Sequence, residues 1–167
     1  MDITASQVRQ DFCSFGGYGQ QGYGYDVKKL KAELENIMGL NKQHNMIIIG
    51  AGNIGRALAG YKGFGDGFKV KAVFDIAPEG IEIKGVQVLS MGRLKEYCAA
   101  NKVDIAVIAT PRSAAAEVAQ AVVDAGVKNI WNFAPTELDL PGGVVVENIS
   151  MSESLYVLSY YMNRQEG

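Results

Sequence analysis

The chain has 167 residues, of which 48% are hydrophobic and 20% are charged, so it can bury one substantial core but has little room for two full domains. Its formal net charge of −2 gives no overall basic character that would indicate nucleic-acid binding from composition alone. No apolar run approaches the length of a membrane span, and residues 1–4 lack the basic segment that opens an export signal. We therefore expect one main domain with an appendage, in a cytoplasmic protein.

The first 45 residues predict a short helix, a hairpin and a second helix. Apolar residues recur at helical spacing over residues 5–15. The glycine-rich and tyrosine-rich stretch Gly16–Tyr25 is typical of a hairpin or wing. Asp26 is suited to cap a second amphipathic helix, which Gly39 ends. Residues 40–45 then form a linker.

A glycine turn lies between the apolar run Met46–Ile49 and a stretch that predicts a helix, Ile54–Tyr61. The turn consists of Gly50, Ala51, Gly52, Asn53, Ile54 and Gly55. In such a GxGxxG pattern the first glycine permits a tight turn, the second lets a pyrophosphate approach the backbone, and the third lets helix and strand pack closely. A glycine-rich loop that merely turns the chain is the alternative interpretation.

An aspartate at the expected distance strengthens the dinucleotide interpretation. The apolar run Val70–Phe74 ends at Asp75, twenty residues after Gly55. A carboxylate in this place can accept hydrogen bonds from both hydroxyls of a ribose. We therefore expect a dinucleotide site that includes the glycine turn, Asp75 and the adjoining Ile76.

From Met46 onward, apolar runs alternate with helical stretches, which indicates an α/β fold with a Rossmann-like, doubly wound parallel sheet. The expected strands are Met46–Ile49, Val70–Phe74, Ile105–Ala109, Asn129–Phe133 and Val144–Glu147. The expected helices are Ile54–Tyr61, Arg93–Ala100 and Ser113–Ala125. Two motifs follow strands at the edge where open α/β sheets bind ligands. They are Ala109, Thr110 and Pro111, and then Asn132, Phe133, Ala134 and Pro135. For either motif alone, a strand that simply ends at proline is an equally good interpretation.

Residues 150–167 predict a last helix that is apolar or aromatic nearly all round. Its apolar members are Leu155, Tyr156, Val157, Leu158, Tyr160, Tyr161 and Met162. A single sheet face would leave part of such a helix in water, so a partner subunit is the economical place to bury it. We therefore expect a homodimer held by this helix.

Five motifs lie along the chain in the order Gln7–Phe12, Phe15–Tyr25, Ile37–Leu40, Gly50–Gly55 and Asn132–Pro135. In this order they resemble the Rex family of redox-sensing transcriptional repressors. The resemblance implies a remnant of a winged helix DNA-binding domain at 1–40, an NAD(H)-binding Rossmann domain at 46–149, and a C-terminal dimerisation helix at 150–167 that is exchanged between subunits. It also implies that NADH weakens operator binding and undergoes no chemistry.

The resemblance assigns roles to particular positions. The glycine turn would hold the pyrophosphate, Asp75 the adenine ribose, and the motifs at 109–111 and 132–135 the nicotinamide side, with Ile76 and Tyr61 completing the cofactor site. The residues that would face operator DNA are Ser6, Gln7, Arg9 and Gln10. A solvated helix face is the alternative for Arg9.

Relative to the family pattern, the chain begins at the recognition helix of the winged helix domain. Residues 1–45 carry five Lys/Arg and five Asp/Glu, so this part has no net positive charge. We therefore expect no specific operator binding by this chain as given, because neither the affinity for phosphates nor the supporting helices are provided.

One position departs from the family pattern. In many Rex proteins an acidic residue opens the C-terminal helix and pairs with a tyrosine that follows the dinucleotide helix. The tyrosine is present as Tyr61, but Ser150 stands in the acidic position. The resemblance then implies that NAD⁺ gains less here from a nearby negative charge. An N-cap role for Ser150 is the alternative, and both can hold together.

Two other functions are compatible with a glycine turn: a small NAD-dependent oxidoreductase and a coenzyme A-binding module. Tyr25 and Lys29 have the spacing of a short-chain dehydrogenase pair, but they precede the turn, whereas that pair follows it. The only histidine, His44, falls in the expected linker, where a solvated side chain is more usual than a general base. After Val144 a single helix remains to form walls for a second substrate, so we do not expect an enzyme.

Overall fold

The computed structural model describes residues 19–20, 24–39, 41–83 and 85–165, with side chains for 26–39, 41–83 and 85–164. The chain divides into two units at Lys42 and Gln43. In the first unit, β1 (Gly19–Gln20) pairs antiparallel with β2 (Gly24–Tyr25), and α1 (Val27–Ile37) follows.

Both ends of α1 follow the prediction from the sequence. The Asp26 carboxylate accepts hydrogen bonds from the backbone N–H groups of Lys28 and Lys29, at 3.1 and 3.2 Å, and so satisfies two donors of the first turn. Gly39 has a φ of 68°, a left-handed conformation that glycine adopts without strain after a helix. The hairpin and the second helix are therefore confirmed, whereas the helix expected at 5–15 lies outside the described residues.

The second unit is a six-stranded parallel sheet with helices on both faces. Its elements are β3 (His44–Ile49), α2 (Asn53–Ala59), β4 (Phe68–Asp75), β5 (Gln87–Ser90), α3 (Leu94–Ala100), β6 (Ile105–Ile108), α4 (Arg112–Asp124), β7 (Asn129–Asn132), β8 (Val145–Asn148) and α5 (Met151–Gln165). Short 3₁₀ helices span Lys62–Phe64 and Met91–Arg93. The strand order, β5-β4-β3-β6-β7-β8, is that of a doubly wound Rossmann sheet, which confirms the expected fold class.

The central strand β3 shows why this sequence forms the core of the sheet. Ile47 and Ile49 face the side covered by α3 and α4, whereas Met46 and Ile48 face the side of α2. All four side chains are at most 2% exposed, because β3 lies between β4 and β6 and both of its faces are covered. A continuous apolar run is typical of such a doubly buried parallel strand.

The second face of the sheet is less completely covered than the first. Beyond α2 it retains an apolar cavity of about 380 Å³, whose walls include Met46, Phe64, Phe68 and Trp131. Aromatic rings extend from its wall toward the carboxyl edge of the sheet. Phe64 packs edge to face on Trp131 with 5.9 Å between ring centroids, and Trp131 packs edge to face on Phe133 with 4.6 Å between centroids. This face therefore presents apolar surface that the second unit does not bury by itself.

Two details of the sheet differ from the sequence prediction. The strand β5 was not predicted, because it is a four-residue edge strand in which Leu89 alone is buried, and so it lacks a continuous apolar run. The linker prediction was wrong at His44 and Asn45, which are the first two residues of β3. His44 stacks on Phe68 with 5.3 Å between ring centroids.

The bounds of the remaining elements shift by one or two residues. Ala109 and Phe133 were predicted as strand residues but follow β6 and β7, and the helix expected to reach Tyr61 ends at Ala59. Shifts of one or two residues are ordinary at the ends of helices and strands.

Candidate functional site

The carboxyl ends of the parallel strands form one continuous edge that brings the sequence motifs together. Backbone hydrogen bonds carry the pairing one residue past the strand ends. They are Gly50 N–H to Phe74 O (2.7 Å), Ala109 N–H to Ile49 O (2.8 Å), Phe133 N–H to Ile108 O (2.8 Å) and Ile149 N–H to Asn132 O (2.8 Å). The strand that follows β3 in the chain, β4, lies on one side of β3, and β6 lies on its other side. The strand order therefore reverses at β3, and this edge contains the switch point at which such sheets bind ligands.

Two glycines of the turn are required by the fold itself. Gly50 has a φ of +106°, and a side chain on it would place Cβ 2.6 Å from the Ala109 carbonyl oxygen. A Cβ on Gly55 would collide with the Gly50 carbonyl oxygen, because the start of α2 packs directly against the turn. These positions explain the first and third glycines of the pattern.

Gly52 is different, because no protein atom requires a glycine there. Its φ of −70° suits any residue, and a Cβ built on it meets nothing within 4 Å. The space in front of Gly52 is therefore open. A glycine that the fold does not need, facing open space at the switch point, fits a site where a bound group approaches the backbone.

The carboxylate of Asp75 holds the glycine turn from the neighbouring strand. Its Oδ2 accepts a hydrogen bond from the Ala51 N–H at 2.7 Å, and its Oδ1 accepts one from the Ala77 N–H at 3.0 Å. The carbonyl of Ala51 is held as well, because it accepts a hydrogen bond from Arg56 Nε at 2.7 Å. The sequence did not point to Arg56, and its position directly after Gly55 is the only signal that could have done so.

A cavity of about 260 Å³ lies between the ends of β3, β4 and β6 and the first turns of α4. The predicted residues that line it are Gly50, Gly52, Asp75, Ile76, Ala109, Thr110 and Pro111. Its floor also includes Met91, Ala114 and Val118, which sequence reasoning missed. Met91 could not have been found, because it follows the strand that the sequence did not reveal.

Thr110 carries an unpaired hydroxyl in the wall of this cavity. Among the described residues, its Oγ1 is the one buried side-chain oxygen or nitrogen that has no hydrogen-bond partner. A buried polar atom without a partner is costly unless a bound group or water satisfies it. The Thr110 hydroxyl therefore offers a hydrogen-bonding group in this wall to a bound polar group or to water.

A second cavity, of about 430 Å³, lies further along the same edge. Phe133, Ala134 and Pro135 form one wall, and residues 148–153 at the start of α5 form the other. In this second wall the Ser150 hydroxyl accepts a hydrogen bond from the Glu153 N–H at 3.3 Å, which confirms the N-cap interpretation of Ser150.

Some predicted cofactor residues lie outside both cavities. Ala51 and Gly55 are buried in the turn, and Asn53 and Ile54 are on the exposed side of α2. Tyr61 is 59% exposed and packs edge to face on Phe64 at 4.9 Å.

Asn132 is fully buried, so its side chain supports the site from below instead of facing a ligand.

The residues expected to face DNA lie outside the described part of the chain. They are Ser6, Gln7, Arg9 and Gln10.

The described ranges contain neither a metal site nor a membrane-spanning helix. No group of three or more His, Cys, Asp and Glu side chains there could hold a metal ion. None of the described helices combines the length and the apolar character that crossing a membrane requires.

The doubly wound sheet, the glycine turn with its aspartate and the cavities at the switch point define a Rossmann-type nucleotide-binding domain. The family model for the CoA binding domain matches residues 41–136. Over 96% of its length the chain is 49% identical to the redox-sensing transcriptional repressor Rex of Clostridioides difficile, of which it covers 78%. It is 47% identical to the same repressor from Caldanaerobacter subterraneus, covering 99% of this chain and 75% of that one.

Solved structures agree with these relatives. RSP, a Rex-family repressor, superposes with a TM-score of 0.91 and 46% identity in its complex with β-NAD⁺ and operator DNA, over 98% of this chain and 77% of that one. Its complex with β-NADH gives a TM-score of 0.87 at 43% identity, over 98% and 78%. This chain belongs to the Rex family of redox-sensing transcriptional repressors. Because the Rex family consists of transcriptional repressors, this chain is not an enzyme.

Proposed function

We propose that this protein is a redox-sensing transcriptional repressor. Its second unit binds NADH and NAD⁺, and the ratio of the two controls the DNA affinity of an operator-binding part. The observation that carries the proposal is the open space at Gly52 beside Asp75, at the switch point of the sheet. No chemistry on the nicotinamide is needed, because a ligand shifts a regulatory equilibrium by its differential affinity for the two states. We place its action in the cytoplasm.

The two cavities suggest how an extended dinucleotide is held. We assign the 260 Å³ cavity, with Asp75 and Ile76, to the adenosine half, and the 430 Å³ cavity, with Phe133 and Pro135, to the nicotinamide half. Residues 109–111 line the first cavity, so this assignment places them with the adenosine half and not on the nicotinamide side that the resemblance implied. The glycine turn holds the pyrophosphate through its backbone, and Thr110 offers its unpaired hydroxyl nearby. When bound, the cofactor supplies a nicotinamide ring that is cationic in NAD⁺ and neutral in NADH, and this difference is the signal.

The repressor acts as a homodimer in this proposal, held by residues 150–167. The described side chains of α5 are exposed, and large apolar ones such as Leu155 (64%) and Tyr156 (71%) face solvent. An apolar surface of this kind is a mark of a protein interface. The apolar cavity on the second face of the sheet offers a surface of matching character for an exchanged helix.

The cofactor assignment is tested at Gly52, because the fold does not need a glycine there. Gly52→Val should weaken NADH binding by roughly tenfold or more, about 1.4 kcal/mol for each factor of ten. The free protein should stay folded, with only the small loss of stability that valine causes at the N-cap of α2. Gly142→Val is the matched control, since a Cβ on Gly142 also meets nothing within 4 Å. Titration of nicotinamide fluorescence measures both, and equal NADH affinities in the two variants would refute the assignment.

A competition experiment separates the dinucleotide from coenzyme A, the ligand that the matched family model names. NADH and NAD⁺ should displace each other from the protein, and coenzyme A at the same concentration should displace neither. Displacement of NADH by coenzyme A with comparable affinity would favour the coenzyme A-binding alternative.

A further inference from the structure

Among the residues that the structure describes, Asn132 is the one polar residue that is buried in the core, with 0% of its surface exposed. Its side-chain nitrogen donates to the Thr136 carbonyl and to Asn148 Oδ1, both at 2.8 Å. Its side-chain oxygen accepts a hydrogen bond from the Ala134 N–H at 3.0 Å. Both amide hydrogens are therefore used, and they hold groups on two different segments of the chain.

These two segments are the opposing walls of the 430 Å³ cavity. Ala134 and Thr136 belong to the turn that forms the first wall, and Asn148 begins the second. The Ile149 N–H also donates to the Asn132 carbonyl at 2.8 Å, so the second wall is tied to the same residue through its backbone. The side chain of Asn132 thus ties both walls together from beneath, in addition to the pairing of β7 with β8.

We propose that Asn132, acting through Asn148, is a positioning residue for redox discrimination, which sets the spacing between the nicotinamide wall and the start of the C-terminal helix. The inference rests on the proposed NAD(H) function of this edge. The wall at 133–135 can contact the ring, whereas the wall at 148–153 leads directly into α5. A ligand that fits this spacing in one redox state but not in the other acts on both walls at once, and so on the helix.

The bond between Asn132 and Asn148 can be removed without disturbing the core. Asn148 is on the exposed side of β8, and its Oδ1 contributes only the acceptor. Asn148→Ala deletes that acceptor and leaves one amide hydrogen of Asn132 without its partner. Asn148→Gln keeps a neutral amide oxygen that can accept from Asn132, and it is the conservative rescue because it adds no charge beside the cavity. Asn129→Ala is the matched control, because Asn129 is on the same strand as Asn132 and its Nδ2 bonds the Asp104 carbonyl at the opposite edge, at 2.9 Å.

The test compares the affinities of the full chain for NADH, NAD⁺ and ADP-ribose by calorimetry. ADP-ribose keeps both riboses and the pyrophosphate and lacks only the nicotinamide, so it reports every contact except those of the ring. In Asn148→Ala the preference for NADH over NAD⁺ should fall by about fivefold or more, while the affinity for ADP-ribose stays within about twofold of the original. Asn148→Gln should restore the preference, and Asn129→Ala should leave all three affinities unchanged.

Each other outcome decides against one of the two proposals. An unchanged preference in Asn148→Ala, or parallel losses for all three ligands, overturns the positioning role and leaves the NAD(H) function intact. Failure of Asn148→Gln to restore the preference overturns it as well, since a neutral acceptor is then present without effect. An unmodified protein that binds none of the three ligands refutes the proposed function itself.

Discussion

The Asp75 carboxylate shows how one residue can serve the fold and the ligand together. Sequence reasoning placed it at a ribose, whereas the structure shows that it already holds the Ala51 N–H at 2.7 Å and the Ala77 N–H at 3.0 Å. A carboxylate has about four lone-pair positions, so these two bonds leave acceptor capacity for ribose hydroxyls. Replacing Asp75 by alanine would therefore disturb the turn as well as the ligand, and an isosteric replacement is the cleaner experiment.

We predict that the protein binds NADH and discriminates against NADPH, because the Asp75 carboxylate attracts a hydroxyl and repels a phosphate. A hydrogen bond to such a charged group contributes about 1.5–3 kcal/mol. Asp75→Ala should weaken NADH by roughly tenfold or more. Asp75→Asn, which keeps an acceptor for the turn, should mainly lose the discrimination between the two cofactors.

The control for this prediction is Glu79→Gln, which removes an exposed negative charge four residues further on without touching the turn. It should leave both cofactor affinities as they were. Fluorescence titrations with NADH and NADPH measure the effect, and equal affinities for the two in the unmodified protein would contradict the role given to Asp75.

A second prediction concerns Ser150, the N-cap of α5 in the wall of the 430 Å³ cavity. Aspartate also caps helices well, so Ser150→Asp should preserve the helix and add a negative charge beside the proposed nicotinamide site. The charge should favour the cationic ring of NAD⁺, and the preference for NADH should fall. Ser150→Asn, a neutral cap, is the control. If the ratio of the two affinities is the same in all three proteins, Ser150 is purely structural.

At the level of elements, the loop before β6 ties three strands together at the amino edge of the sheet. The Asp104 carboxylate accepts a hydrogen bond from the Asn45 N–H at 2.8 Å and pairs with the Lys102 ammonium at 3.0 Å. The Asp104 carbonyl accepts the amide of Asn129 at the start of β7. Burial raises the pKa of Asp104, but the Asn45 N–H and Lys102 together outweigh it, so the pKa lies below its ordinary value.

We predict that Asp104→Ala lowers the free energy of unfolding by about 1–2 kcal/mol near neutral pH, because β3 loses its anchor to β6. The folded-state pKa is lower than that of the unfolded chain, so this stabilisation is present above the ordinary carboxyl range. It is lost as the pH falls through the folded-state value. The difference between unmodified and variant protein in urea unfolding should therefore narrow between about pH 7 and pH 3. Glu117→Ala, on the exposed side of α4, should show no such difference at any pH.

At the level of the whole molecule, two apolar surfaces remain uncovered in the second unit. One is α5, and the other is the cavity bounded by Phe64, Phe68 and Trp131. Neither buries the other within the chain, since the described side chains of α5 are exposed. Monomeric proteins seldom leave surfaces of this kind open.

We predict a dimer that depends on α5. Deleting the residues after Asn148 should yield monomers or aggregates, because the apolar surfaces then lack their partners. Leu158→Glu should dissociate the dimer while leaving the helix in place, since Leu158 is 55% exposed and contributes nothing to the core of its own chain. Ala116→Glu adds the same charge to an exposed position of α4 and should leave the dimer intact. Light scattering measures all three, and a stable dimer after the deletion would remove this role of α5.

Local patterns in the sequence determined the α/β class, the glycine turn, the position of Asp75 and the ends of α1. Each depends on neighbours within a few residues: an apolar run for a buried strand, glycine where φ is positive, and an acidic cap before a helix. The family followed from the same motifs in their order along the chain.

Only the tertiary structure decided which of these residues face a cavity and which support it. Asn132 and Phe133 are adjacent in one motif, yet one is fully buried beneath the site and the other lines it, because successive residues at the end of a strand point in opposite directions. The bonds from Asp75 to Ala51 and from Asn132 to Asn148 span 24 and 16 residues of chain. Such pairs are set by the order and register of the strands, which pair residues that no local pattern connects.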